Sequence, residues 1–208
     1  MPTVSGAELR DWLLARGGMG RCGPDLPERL FRRFAEARAL LAPLPGLTPA
    51  IAWGVDDAPL SAIAGAVRRV GVVASLGPGP EDCVRELFAK RQPSLALAVD
   101  AFANQLLFRL SERALAIVKR EAAAQGLALG GPLEPGGGEI GFEHQAGLLA
   151  LAEAERIGVA LSSGGVMTPT KSVSLLLGFG PGLKRRLRVE TCARCPSRET
   201  CRPGLAAR

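Results

Sequence analysis

Residues 157–174 read Ile-Gly-Val-Ala-Leu-Ser-Ser-Gly-Gly-Val-Met-Thr-Pro-Thr-Lys-Ser-Val-Ser. The apolar runs within and after this stretch predict two strands, Val159–Ser162 and Ser172–Phe179. Between them lie Gly164-Gly165 and Thr168-Pro169, which both favour turns. This part of the chain therefore predicts a small sheet against which upstream elements pack.

Helix and strand patterns also fill the upstream part of the chain. Ser5 followed by Glu8 is a capping-box pattern that begins the first predicted helix. The longest helical pattern, Ser94–Gln125, is apolar most of the way round and predicts a central helix buried on several sides. Further helices are predicted at 27–41, 81–90 and 142–156, strands at 50–55 and 70–75, and a loop with two prolines and five glycines at 130–138. The sum predicts an α+β domain with helices packed on a small sheet.

The positive charge of the chain lies in its C-terminal tail. The 208 residues include 26 basic and 20 acidic side chains, and residues 181–208 carry eight of the basic ones against two glutamates. The net charge of +6 therefore comes entirely from this tail. We expect a domain at 1–180 followed by a basic tail at 181–208, which is either a solvated segment or a docking surface for an acidic partner.

Composition excludes several classes of protein. Hydrophobic residues make up 47% of the chain, so a core can form and disorder of the whole chain is excluded. A bilayer span is excluded because the most apolar stretch, 94–110, is interrupted by Asp100, Asn104, Gln105 and Arg109. Charged residues precede any apolar run at the start, which is wrong for a secretory signal, so a cytoplasmic location is expected.

A cysteine cluster is the strongest candidate metal site. Three cysteines form a C-x2-C-x5-C pattern in the tail, namely Cys192, Cys195 and Cys201. Two thiolates separated by two residues can face one metal across a tight turn, and Pro196 adds the Cys-Pro step that ends ferredoxin-type runs. We predict an iron–sulfur cluster, with zinc or a free-thiol tail as the alternatives. Cys83 is the first candidate for a fourth ligand, and Cys22, His144, a partner subunit or an open iron position are the others.

The glycine loop at 134–139 is a candidate ligand site. Its sequence, Glu-Pro-Gly-Gly-Gly-Glu, lets the backbone approach a ligand closely and exposes N–H groups. It lacks the lysine of a P-loop and does not match the dinucleotide-binding pattern, so a plain connector is the competing interpretation. His144, at a helix start, is expected at the surface. Neither Ser163 nor Ser172 has base and acid partners in the sequence that would support hydrolase chemistry.

Two motifs resemble the activation (reactivation) domain of cobalamin-dependent methionine synthase. That family carries Ile-Gly-Met-x-Leu-Thr-Glu followed by Met-x-Pro-x-x-Ser-Val-Ser-Gly, and here Ile157–Ser162 and Met167–Ser174 stand in the same order. Upstream, Pro135-Gly136 precedes a helix as in the family, and Ala74–Gly77 resembles its Thr-Leu-Gly turn. The resemblance covers about residues 5–180 and is strongest over 134–180.

The resemblance implies a fold, a ligand and a partner. The family has a twisted antiparallel sheet in a mixed fold, and it binds S-adenosylmethionine. It presents this methyl donor to a cobalamin in the inactive cob(II) state, where one electron and one methyl group restore methylcobalamin. Free-standing relatives serve methionine synthases or corrinoid proteins that lack the domain. The ligand-binding candidates that the resemblance implies here are Pro135, Gly136, Gly137, Gly138, Met167, Pro169, Ser172 and Ser174.

The side chains that hold the ligand in the family differ in this chain. The family loop reads Arg-x-x-Pro-Gly-Tyr, and Pro132 and Gly137 stand at the arginine and tyrosine positions. Leu176-Leu177 replaces an aromatic pair, and residues 101–108 supply no carboxylate where the family helix carries glutamates. A bidentate contact between arginine and carboxylate is among the stronger polar interactions. Its loss counts against binding of S-adenosylmethionine in the family manner.

Three functions compete at this point. The first is an accessory protein in the reductive activation of a cobalamin (corrinoid)-dependent methyltransferase, with the tail cluster delivering an electron to the partner's cobalamin. The second is a non-catalytic module that binds a cobalamin domain and holds zinc in its tail. Nucleic-acid binding is the third, and it is disfavoured because no aromatic residue lies between Gly180 and Arg208 to stack on bases. We predict the first function and leave open whether the chain is itself an enzyme.

Overall fold

A computed structural model describes residues 2–16, 32–137 and 139–184. The helices within these ranges are α1 (Ala7–Arg16), α2 (Phe34–Leu41), α3 (Gly79–Ala89), α4 (Pro93–Ala124) and α5 (His144–Leu151), with a 3-10 helix at Ala154–Ile157. The strands are β1 (Thr3–Ser5), β2 (Ala50–Asp56), β3 (Arg68–Ser75), β4 (Ala128–Leu133), β5 (Ala160–Leu161), β6 (Met167–Thr168) and β7 (Ser172–Gly180). None of these helices is long and apolar enough to cross a membrane.

A five-stranded antiparallel sheet forms the centre of the domain. Its strand order is β1-β2-β3-β7-β4, and each neighbouring pair runs antiparallel. The longest ladder pairs β3 with β7, from Arg68 opposite Phe179 to Ser75 opposite Ser172. Strands β5 and β6 form a separate hairpin. The predicted α+β class, with helices on a small and mainly antiparallel sheet, is confirmed.

Both faces of the sheet are covered, so each central strand contributes to two cores. On β3, Val72 belongs to the core under α4, whereas Val73 belongs to the core under α5. On β7, Leu177 and Leu176 divide in the same way. Successive side chains of a strand point to opposite faces, and here neither face meets solvent. This explains why the two strands appear in the sequence as continuous apolar runs.

Helix α4 is the main element of the larger core. Phe102, Leu106 and Leu110 are buried, and the ring of Phe102 meets Phe34 of α2 edge-on at a centroid distance of 5.5 Å. Helices α1, α2 and α3 pack along α4, which confirms the predicted central helix. Gln105 is also buried on α4, and its amide has no hydrogen-bond partner within the described residues.

The prediction of a loop at 130–138 was wrong for residues 130–133. Residues Ala128–Leu133 form the edge strand β4, and residues 134–137 lead into the turn that follows it. Gly130 lies so close to the side chain of Ile63 that a Cβ would not fit without a shift. An edge strand tolerates Pro132, because a residue there does not have to donate to a ladder on both sides, and the pairing with β7 is irregular at this point. Glycine and proline here mark close packing and an irregularity in the strand.

Two predicted helices differ from the structure in length. The helix predicted at 142–156 is interrupted: α5 ends at Leu151, Glu153 adopts a left-handed φ of 50°, and the 3-10 helix follows. Apolar residues keep a helical spacing across the break, so periodicity could not reveal it. The helix predicted at 27–41 is observed as α2 in its second half, while residues 27–31 lie outside the described part of the chain. Strand β1 was not predicted.

Candidate functional site

A cavity of about 310 Å³ opens beside α5, where β7 begins. Four segments surround it: the turn after β4, the residues at the start of α5, the β5–β6 hairpin, and the chain that runs from this hairpin into β7. The lining residues are Glu134, Pro135, Phe142, Gln145, Gly165, Val166, Met167, Thr170, Ser172, Val173 and Ser174. A concave surface of apolar side chains with a few polar groups is typical of small-molecule sites.

The turn after β4 builds the first wall. The N–H of Gly136 donates to the carbonyl of Ile140 at 2.9 Å, and the N–H of Gly137 donates to the carbonyl of Glu134 at 2.8 Å. Gly136 has a φ of +81°, and the ring of Phe142 lies so close to it that a Cβ would clash. The positive φ favours glycine, and any side chain here would also displace the exposed Phe142 ring. The turn thereby holds Glu134 and Phe142 at the cavity.

The hairpin of β5 and β6 builds the second wall. The N–H of Ser162 donates to the carbonyl of Val166 at 2.9 Å, and the N–H of Val166 donates to Ser162 Oγ at 3.2 Å. Gly165, with a φ of +76°, completes this tight turn by donating to the carbonyl of Ser162 at 2.9 Å. These hydrogen bonds fix the backbone that carries Val166 and Met167 along the cavity.

The segment before β7 forms the third wall and is anchored on two helices. The N–H of Thr170 donates to the carboxylate of Glu81 on α3 at 2.8 Å, and the Thr170 hydroxyl donates to the same oxygen. The ammonium of Lys171 lies 2.6 Å from Asp100 Oδ1 and 2.8 Å from Asn104 Oδ1, both on α4. Side chains of α3 and α4 that do not line the cavity therefore hold this wall in place.

The upstream turn at Ala74–Gly77 and the downstream motif Met167–Ser174, which both resemble the family, meet at this wall. The Ser172 hydroxyl lies 2.7 Å from the carbonyl oxygen of Pro169 and 2.9 Å from Ser75 Oγ. Ser75 Oγ in turn accepts a hydrogen bond from the N–H of Gly77 at 3.1 Å. The turn at Ala74–Gly77 thus contacts the segment at the start of β7, although about a hundred residues separate them in the chain.

The structure brings together half of the ligand-binding residues that the resemblance implied. Pro135, Met167, Ser172 and Ser174 line one cavity. Gly136 and Gly137 belong to the turn but do not line the cavity, and Pro169 supports Ser172 from the neighbouring turn. Gly138 lies outside the described residues. His144 is exposed and does not line the cavity, as expected for a helix-start residue.

Sequence reasoning missed several lining residues, chiefly Phe142, Gln145 and Val166, whereas Glu134 was part of the candidate loop at 134–139. Phe142 and Val166 keep 71% and 58% of their surface exposed, and no local pattern distinguishes such residues from ordinary surface ones. Gln145 is buried although it stands near a helix start, and only tertiary packing could reveal this.

The predicted metal ligands cannot be placed by the structure. Cys192, Cys195 and Cys201 lie outside the described residues, as does Cys22. Within residues 2–16, 32–137 and 139–184, no group of three or more His, Cys, Asp or Glu side chains lies close enough to hold a metal ion. The metal site of the tail therefore stays a prediction.

Cys83, the candidate fourth ligand, lies on α3 beside a second cavity of about 300 Å³. The side chain is 9% exposed. Burial raises the pKa of the Cys83 thiol, and the negative charge of Glu86 raises it further against the smaller opposing effect of Lys90. Metal binding needs a thiolate, so a nearby cation would have to lower this pKa before Cys83 could serve as a ligand.

Comparison with known proteins identifies the fold. The structure matches a crystal structure of the MetH reactivation domain bound to AdoHcy, with a TM-score of 0.65 and 14% sequence identity. The match covers 92% of this chain and 83% of that one. This chain has the fold of the MetH reactivation domain. No protein-family model matches the sequence, and no curated protein matches it either.

The structure shows where the residues lie that differ from the family motif. Pro132, at the position of the motif's arginine, does not line the cavity, whereas Glu134 does. Leu176 and Leu177, at the positions of the aromatic pair, are buried on opposite faces of the sheet. The positions at which this chain differs from the motif therefore lie outside the described lining of the cavity.

Proposed function

We propose that this chain is an accessory protein in the reductive activation of a cobalamin-dependent methyltransferase such as methionine synthase, and that its cavity binds an S-adenosyl compound. The observation that carries the proposal is the convergence of Pro135 with Met167, Ser172 and Ser174 on one cavity, within a reactivation-domain fold. The matched domain was crystallised with AdoHcy. A cobalamin-binding protein would be the partner, and the cytoplasm would be the compartment.

The lining suits the two halves of an adenosyl group. Phe142, Val166 and Met167 offer apolar surface for the flat adenine ring, and contact between a base and an aromatic ring contributes about 1–3 kcal/mol. Gln145 and Ser174 offer an amide and a hydroxyl for hydrogen bonds with the ribose. The cavity volume of about 310 Å³ lies at the lower end of the range for small-molecule sites.

Calorimetric titration with S-adenosylmethionine and S-adenosylhomocysteine tests the ligand part of this proposal. We expect binding to the wild-type chain and about tenfold weaker binding after Phe142→Ala, because stacking surface is lost. Phe88→Ala is the matched control, since Phe88 is also an exposed phenylalanine but lies on α3 outside the cavity. Absence of binding to the wild type, or equal weakening by both variants, would contradict the cavity assignment.

A reactivation assay tests the partner part. Cobalamin-dependent methionine synthase lacking its own activation domain would be oxidised to the cob(II) form, then incubated with S-adenosylmethionine and a low-potential electron donor. We expect the return of the methylcobalamin spectrum only when this chain is added. The Phe142→Ala variant should restore less methylcobalamin than the wild-type chain does. Equal recovery without the chain would refute an activation role.

The electron is proposed to pass through an iron–sulfur cluster held by Cys192, Cys195 and Cys201. These three cysteines would hold the cluster, which would supply the one electron that the partner's cob(II)alamin needs, while S-adenosylmethionine would supply the methyl group and leave as S-adenosylhomocysteine. A low-potential one-electron donor would reduce the cluster again. Three thiolates suit iron as a ligand set, and the flanking arginines offset the charge of an anionic cluster.

Anaerobic purification followed by metal analysis and a visible spectrum tests the cluster. We expect iron, sulfide and broad absorbance near ~400 nm, all lost in Cys195→Ala. Cys83→Ala shows whether the buried thiol contributes the fourth ligand. One zinc ion without colour would instead favour the alternative of a non-catalytic module that binds a cobalamin domain and holds structural zinc.

A further inference from the structure

Three polar side chains face the cavity with no hydrogen bond or ion pair to another described residue: Glu134, Gln145 and Ser174. Gln145 and Ser174 are 6% and 5% exposed. Among the described residues, only the Gln105 amide is both fully enclosed and unpaired, so the unpaired polar atoms of Gln145 and Ser174 remain accessible and can hydrogen-bond to a ligand. Thr170 and Ser172, the other polar lining residues, are already engaged with neighbouring segments.

The charge of the described cavity is negative. Glu134 is the one charged residue among the described lining residues. Lys171 is adjacent to two lining residues, but its ammonium contacts helix α4, where it lies 2.6 Å from Asp100 and 2.8 Å from Asn104. Pro132, where the family motif has its carboxylate-binding arginine, supplies no charge. The cavity therefore favours a cationic group on the ligand, and its described lining residues supply no positive charge to pair with a carboxylate.

We infer that Glu134 is a specificity-determining residue, and that the cavity recognises an adenosyl sulfonium through its positive charge and not through its α-carboxylate. This inference rests on the proposed function, since it assumes an adenosyl ligand. The sulfonium and any ammonium of the ligand face the Glu134 carboxylate, while Gln145 and Ser174 hydrogen-bond to its neutral part. A ligand that has lost its sulfonium charge binds less tightly, and one that has lost its carboxylate does not.

Three related probes separate these contributions. S-Adenosylmethionine carries both the sulfonium and the carboxylate, S-adenosylhomocysteine lacks the sulfonium charge, and decarboxylated S-adenosylmethionine lacks the carboxylate. Dissociation constants for all three would be measured by calorimetry on the wild type, Glu134→Gln and the control Glu155→Gln. Glu155 is an exposed carboxylate of the 3-10 helix and does not line the cavity. Thermal melting would verify that each variant is folded.

We expect decarboxylated S-adenosylmethionine to bind at least as tightly as S-adenosylmethionine, and S-adenosylhomocysteine to bind about two- to fivefold more weakly, the range of an exposed ion pair. Glu134→Gln should remove this preference, and Glu155→Gln should keep it. Tighter binding of the two carboxylate-bearing probes, or a preference unchanged in Glu134→Gln, would overturn the inference and leave the proposed function standing. If none of the three probes binds the wild type, the adenosyl site itself is refuted.

Discussion

The ammonium of Lys171 lies 2.6 Å from Asp100 Oδ1 and so ties the segment before β7 to the long helix α4. The same ammonium contacts Asn104 Oδ1 at 2.8 Å, and the Asn104 amide donates to Asp100 Oδ2 at 3.3 Å. The Lys171 side chain is only 13% exposed. Since Thr170 and Ser172 flank Lys171 and line the cavity, this small network positions the third wall.

Lys171→Met is expected to destabilise the chain and to weaken ligand binding. Loss of a partly buried ion pair should lower the free energy of unfolding by about 1 kcal/mol, which urea titration measures. Lys90→Met is the matched control, because the Lys90–Glu86 pair is 3.4 Å long and well exposed. That variant should change stability by less than about 0.5 kcal/mol. Equal effects of both variants would show that Lys171 does not anchor the wall.

Alanine substitutions at two glycines should change the stability of the chain in opposite directions. Gly136→Ala places a side chain at a φ of +81° and against the ring of Phe142, so we expect a loss of about 1–3 kcal/mol in stability and weaker ligand binding. Gly147→Ala lies in α5 with open space around the new Cβ and should raise stability by about 0.5–1 kcal/mol. Thermal unfolding of both variants measures the difference. A stabilising Gly136→Ala would contradict the described turn.

Asp56 should make stability depend on acid pH. Burial alone would raise the pKa of Asp56, but hydrogen bonds from Arg69 and the Ala58 N–H, with the charges of Arg69 and Arg68, lower it below 3.8. A lowered pKa stabilises the folded state above the unfolded pKa, and this contribution is lost as the pH falls through the folded value. Asp56→Asn should therefore cost about 0.5–1 kcal/mol at neutral pH, and the cost should shrink as the pH falls through the lowered pKa of Asp56.

Urea unfolding at several pH values tests this expectation. Asp57→Asn is the control, because the Asp57 side chain is 86% exposed in its ion pair with Arg68. It should change the pH profile less than Asp56→Asn does. If the difference in free energy of unfolding between wild type and Asp56→Asn stayed constant from about pH 7 to pH 2, folding would not change the pKa of Asp56.

Gln105→Met should stabilise the protein. The Gln105 amide is 2% exposed and has no hydrogen-bond partner among the described residues. A buried polar group without a partner costs about 1–3 kcal/mol, and methionine fills a similar volume without that cost. We expect the free energy of unfolding to rise by about 1 kcal/mol in urea titration. A decrease would show that the amide has a polar partner in the folded chain.

Much of the element order was predictable from local sequence. The apolar pattern of Ser94–Gln125 predicted α4, observed as Pro93–Ala124, because 32 residues of consistent pattern leave little ambiguity. Glycines and prolines were less informative. The same residue types form a turn at Gly136 but an edge strand at Gly130, and the difference is that Gly130 pairs with Gly178 of β7. Such a contact between distant segments leaves no local signal.

The sequence by itself determined the α+β class, the principal helices and strands, and the two motifs that pointed to a reactivation-domain fold. Periodicity, turn residues and a specific motif are local properties, which is why they could be seen in the chain alone. Only the tertiary structure decided that Pro135 and Ser174 share a cavity, that Gln145 is buried beside it, and that Glu134 supplies its charge. Those outcomes depend on how β4, α5 and β7 pack, and packing joins residues that no sequence spacing connects.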